Sequence, residues 1–198
     1  MRKKFGAGTK ARSVSRELRE KKMSDAEDIK KMIQSAFAHV EYPGDWCLIG
    51  IDRGYEPSLV EAAFKGKTDW SELDAAFLDI VPDGLATALC FFSDEALHFY
   101  LPAYLIADCD GLLDRTDVLF HLTHGLDDKS RSTLANQRRY GQRTWSDIKR
   151  YTWSVLNKAE CTAIVAYLRF KQNSADLVDF EREHIQQALH NYWNSRIE

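Results

Sequence analysis

Apolar positions along this chain recur mostly at helical rather than alternating spacing. Ile29, Met32, Ile33, Ala36, Phe37 and Val40 fall three or four apart, which predicts an amphipathic helix over residues 25–40. Ahead of it, Ser24-Asp25-Ala26-Glu27 matches a capping box, in which Ser24 accepts from an early N–H and Glu27 reaches back. Tyr42-Pro43-Gly44-Asp45 ends the segment with turn chemistry, Pro setting φ and Gly permitting a positive one. Trp46 to Ile51 is a short apolar run that reads equally as a strand or a buried extended segment. Pro57 suits the first turn of a short helix that runs through Phe64 and stops at Gly66. Trp70 to Leu78 reads as a further helix, punctuated by Pro82-Asp83-Gly84.

The most apolar helix is expected from Asp94 to about Cys109, with Ser93 as its cap and Asp94 and Glu95 at its positive end. It is apolar on nearly every face, so it should lie at the centre of the fold. Pro102 removes a backbone donor from its interior, and a kink is expected there. A shorter helix is expected over Thr116 to Thr123, and residues 125–150 read as polar, basic and irregular. Asn157-Lys158-Ala159-Glu160 is a second capping box, opening a helix through Phe170. Ser174 is expected to cap the last helix, over 175–195. The fold class expected is mostly α: a single-domain irregular helical bundle with a kinked central helix and at most one short strand pair.

Charge divides the chain. Residues 1–22 hold nine Lys/Arg against two Glu, whereas the remainder holds 18 basic and 28 acidic residues. The first segment has too few apolar groups to pack and reads as a disordered basic tail, with residues 23–198 as the single α-helical domain. The tail fits a nucleic-acid or membrane-surface arm or a transit peptide; an upstream extension before a natural start at Met23 is the favoured reading. The acidic body makes nucleic-acid binding an unfavoured but open reading. No apolar run approaches the length of a membrane span, about 18 residues, and no secretory leader is evident, so a cytoplasmic protein is expected. Cys47, Cys90, Cys109 and Cys161 are widely spaced in apolar surroundings, which predicts reduced, mostly buried and unreactive thiols.

Several segments occur in a familiar order. Tyr42-Pro43-Gly44-Asp45, then Phe92-Ser93-Asp94-Glu95-Ala96, then Phe99-Tyr100-Leu101-Pro102-Ala103-Tyr104-Leu105, and finally a helix like Ala163–Phe170, resemble an uncharacterised bacterial family of unknown function. The resemblance spans residues 27–172 and implies a small cytoplasmic helical protein; it implies no activity.

Candidate chemistry is sparse. Glu95-x-x-His98 and Glu181-x-x-His184 repeat the motif that builds ferritin-like di-metal sites, with Glu27 and Glu160 available as further carboxylates. Capping already accounts for Glu27, Glu95 and Glu160 at helix starts, so Glu95, His98, Glu181 and His184 are rejected as metal ligands. His121-Leu-Thr-His124 lacks the Glu of the zinc-protease helix. In Asp108-Cys-Asp110-Gly111, Gly falls fourth rather than sixth, so a helix C-terminal turn is preferred to a calcium loop. No phosphate loop, nucleophile elbow or dinucleotide fingerprint occurs, and no cofactor is implied. The most suggestive surface is Asn136–Trp153, where Arg138, Arg139, Arg143, Lys149 and Arg150 interleave with Trp145, Trp153 and two tyrosines. It reads as a connector pinned by its rings, or as a surface for an acidic protein, or for nucleic acid. The leading expectation is a non-enzymatic interaction protein, of the immunity or regulatory kind, whose partner is another protein. An enzyme with a di-metal carboxylate site is the alternative.

Overall fold

The computed structural model describes residues 23–50, 54–82 and 87–198; the basic tail, Ile51 and the Asp83-Gly84 turn therefore lie outside the described residues. Helix α1 covers residues 23–37, so Ser24 lies within it and does not cap it. Glu27 instead pairs with Lys30 on the next turn at 2.6 Å. Ile33, Ala36 and Phe37 are buried, while Met32 is exposed and Val40 lies past the helix end.

The Tyr42–Asp45 turn forms as its residues dictate. Gly44 adopts φ 93°, and the Tyr42 hydroxyl donates to Asp45 Oδ1 at 2.5 Å. Beyond it, Asp45–Cys47 is a 3-10 turn rather than a strand. Ile49 makes a single antiparallel bridge to Phe92, and among the described residues the other bridge joins Leu134 and Thr144. A single bridge of this kind anchors Ile49 but is too short to build a ladder.

Helix α2 spans Tyr55–Phe64, as expected. The helix expected over 70–78 is instead two pieces, a 3-10 turn Trp70–Glu72 and α3, Ala75–Ile80. Asp69 accepts from Ser71 N at 2.8 Å and Asp74 from Phe77 N at 2.7 Å, so each aspartate starts an element of its own.

Helix α4, Asp94–Cys109, is the centre of the fold. Ser93 Oγ accepts from Ala96 N at 3.0 Å, closing its first turn. Leu101, Tyr104 and Leu105 are fully buried, and the helix runs on through Pro102. Helix α3, the Trp70 turn, α5 (Val118–Thr123) and the Trp153–Val155 turn all pack on it.

The stretch expected to be irregular contains two helices, α6, Gln137–Tyr140, and α7, Trp145–Thr152. Helix α8, Lys158–Gln172, opens on the expected Asn157/Glu160 box. Helix α9, Asp179–Asn191, begins later than Ser174 predicts. Arg182 donates to the carbonyls of Ser174 and Leu177 at 2.7 and 2.9 Å, which turns those carbonyls away from a helical ladder. Helix α9 packs on α8 and α5, and a 3-10 turn over Trp193–Arg196 follows it. One apolar cluster runs from Ile33 to Trp193. No described helix is long and apolar enough to cross a membrane.

Candidate functional site

Residues 136–153 divide into two parts with different partners. The first is a loop closed at its base. Ala135 N donates to Arg143 O at 3.0 Å, and Trp145 N donates to Thr133 O at 3.1 Å. Between these bonds, α6 is a single turn started by the Asn136 side chain, which accepts from Arg138 N at 3.1 Å. Gly141 ends it at φ 66°, the left-handed conformation that glycine adopts without steric cost. Arg138, Arg139 and Arg143 are all exposed on this loop, and Arg139 lies 5.2 Å from the centre of the Tyr140 ring. Among the described residues, no carboxylate pairs with Arg138 or Arg139.

The second part belongs to the body. Helix α7 opens on a capping box: Thr144 Oγ1 accepts from Asp147 N at 3.1 Å, and Asp147 Oδ2 accepts from Thr144 N at 2.8 Å. Arg150 turns inward along the surface, donating to Asn191 O at 2.5 Å and lying 5.5 Å from the Tyr192 ring. Trp153 is 1% exposed and packs against Trp193, with ring centres 5.7 Å apart. It is core and contributes nothing to a surface. Trp145 is half-buried, its ring 5.8 Å from that of His124. The expected seven-residue surface therefore reduces to three arginines edged by Trp145: Trp153 is core, Arg150, though exposed, is tied to Asn191 and the Tyr192 ring, and the stem of Lys149 lies against Gly125.

Lys149 joins a second group that the sequence did not reveal. Its stem crosses Gly125, where a Cβ would sit only 2.6 Å from Lys149 Cγ. Burial lowers the ammonium pKa, against which Cys90 and Asp94 act in the opposite direction. Cys90 is exposed, contrary to the expectation of mostly buried thiols; of the four, only Cys161 is buried. Its Sγ lies 3.8 Å from His121 Nε2, which Thr87 Oγ1 also approaches at 3.3 Å. Spacing alone gives no sign of this group, since its members come from three separate elements.

The rejected metal residues are dispersed. Glu95 is exposed and lies 3.6 Å from Cys47 Sγ. His98, three residues on, faces Glu160 at 3.0 Å, with the Phe37 ring 6.1 Å away. Glu181 accepts from Val178 N at 3.1 Å at the start of α9, and His184 packs on Phe180 with ring centres 4.0 Å apart. Among the described residues, no three His, Cys, Asp or Glu are grouped to hold a metal ion. Glu160 is the most buried acid, at 0% exposure, held by Asn157 N at 2.7 Å, by His98, and by His39 at 3.3 Å. A cleft of about 410 Å³ lies where the ends of α4 and α8 meet α9. Its carboxylates are already engaged: Asp108 by Lys171 at 2.7 Å, Asp110 by Lys30 at 2.7 Å, and Asp117 by Phe120 N at 2.7 Å.

No curated protein and no solved structure matches the chain. A family model does match, over residues 25–197, which takes in all but the first two residues of α1, every later described helix and the whole of both groups above. The chain is a member of the DUF6714 family, a family of unknown function.

Proposed function

We propose that this is a non-enzymatic interaction protein of the cytoplasm that holds an acidic segment of a partner protein through Arg138, Arg139 and Arg143. The observation that carries the proposal is the closed loop. Its base is fixed by two backbone hydrogen bonds, and its exposed guanidinium groups have no described carboxylate to neutralise Arg138 and Arg139. Arginine forks bind carboxylates in a paired, planar geometry, and a fixed loop base lowers the ordering cost of binding. A protein partner is favoured over nucleic acid because the arginine loop itself offers little free ring surface for stacking, the exposed Tyr151 lying outside the loop on α7. Trp153 is core, Trp145 packs beside His124, and Tyr140 lies beside Arg139. The four thiols are unpaired, which suits a reducing compartment.

The test compares the wild-type chain with a triple variant, Arg138→Gln, Arg139→Gln and Arg143→Gln, by fluorescence anisotropy against a labelled Glu/Asp-rich peptide. The wild type should bind with an affinity that falls as salt rises, and the variant should bind about tenfold or more weakly at an unchanged melting temperature. Equal binding by both proteins would remove the loop from the interface. Tighter binding to an oligonucleotide of equal charge would transfer the site to nucleic acid.

A further inference from the structure

Resting on that reading of the arginine loop, we propose that the acidic segment it holds also carries a large apolar side chain, seated on an aromatic ledge of Phe120, His124 and Trp145. The ledge is continuous with the loop. Trp145 opens α7 and also closes the loop base, through its N–H to Thr133 O at 3.1 Å. Its ring lies 5.8 Å from that of His124, and the His124 ring stacks on that of Phe120 at 4.6 Å with 21° between their planes. Gly125 permits this approach of α5 to α7, since a Cβ there would meet Lys149 Cγ at 2.6 Å and Trp145 O at 3.4 Å. Leu134, bridged to Thr144, adds an exposed apolar side chain at the loop base.

Phe120 is 48% exposed, whereas its α5 neighbours Leu119, His121 and Leu122 are buried. A single exposed ring is ordinary on a protein surface. A ring stacked on an imidazole, joined to a tryptophan and bordered by exposed arginines has instead the make-up of an interface, where aromatic residues and Arg concentrate. Burial, and then the charge of Lys149, hold His124 toward its neutral form, so the stack offers an uncharged surface. The surrounding charges set the direction of the bound segment. Arg138, Arg139 and Arg143 attract carboxylates over the loop. Asp117, exposed and accepting from Phe120 N at 2.7 Å, repels them at the far end. The apolar side chain of the partner therefore sits at Phe120 and its acidic residues lie over the loop.

The experiment measures binding to the full chain by fluorescence anisotropy. The probes are a labelled Glu/Asp-rich peptide with Phe at both ends and the same peptide with Ser in those places. The wild type should bind the Phe peptide about tenfold more tightly, by a ratio that persists as added salt weakens both. Phe120→Ala should bring the ratio close to one while the Ser peptide binds as before, and Phe120→Leu should keep most of the preference. Equal wild-type affinities for the two peptides would overturn this inference and leave the loop reading standing. Failure of the wild type to bind either peptide would overturn both. A preference unchanged in Phe120→Ala would place the apolar contact elsewhere and remove the ledge. A dimer dissolved by Phe120→Ala would give the ledge to a second copy of the chain, and tighter binding of a single-stranded oligonucleotide lost in that variant would give it to bases; either result overturns the proposal.

Discussion

The His121 imidazole has its pKa pushed down to about 3, first by burial and then by the positive charge of Lys149. In the unfolded chain the same group titrates near its ordinary 6.5. Between those values the unfolded state binds a proton that the folded state refuses, so stability rises with pH and is lost as pH falls through the window. His124 is shifted in the same direction. Thermal melts should therefore drop as pH is lowered from 7 to 5, and His121→Asn should flatten that slope. A slope unchanged in the variant would mean that His121 is protonated in the folded state. Glu160 acts at lower pH. Burial alone would raise its carboxyl, but the hydrogen bonds from His98 and Asn157 and the charges of His98 and His39 outweigh it, holding the group below its ordinary 4.5. Its contribution is present above that value and disappears as pH falls further, so Glu160→Gln should soften the acid limb of the melting curve. Sequence reading assigned Glu160 its cap but not its second task, because His39 and His98 come from distant parts of the chain.

At the scale of elements, local chemistry was legible wherever a cap and an apolar run coincided. Ser93 with α4 and Asn157 with α8 form as their residues dictate. The same signature, Thr144-Trp145-Ser146-Asp147, also marks α7, yet the basic character of the segment masks it. Thr144→Ala should cost about 1 kcal/mol, read as a shifted urea midpoint, since the cap is a complete reciprocal box. Ser174 misleads in the opposite sense, because the carbonyls after it are claimed by Arg182, a contact that no window of residues displays. In α4, Leu101 is fully buried, and Leu101→Ala should cost about 2–5 kcal/mol through the cavity it leaves. A loss under half of one kcal/mol would show that the site collapses freely and that α4 is not the packed centre.

At the scale of the molecule, the resemblance read from residues 27–172 understates the unit. The family match extends to residue 197, and α9 with its following turn supplies Ile185, Leu189, Tyr192 and Trp193 to the common core. The match begins at residue 25, beyond the basic segment 1–22. A chain beginning at Met23 is accordingly expected to melt within a few degrees of the full chain. A larger drop would assign the tail a place in the fold.

The residues by themselves determined the helical class, the central place of α4 and the caps of its first turn and that of α8, because apolar spacing and capping are encoded within a few neighbouring positions. They also marked the basic segment around Arg138. Only the tertiary structure decided which of its members face outward, because the 3-10 turn after α7 packs Trp153 against Trp193 in the core while the arginine loop stays exposed. The meeting of Cys90 with His121, and of Lys149 with Gly125, was likewise settled in three dimensions. Their separation along the chain is large, and contacts across such a separation depend on how the helices dock rather than on any pattern a local window contains.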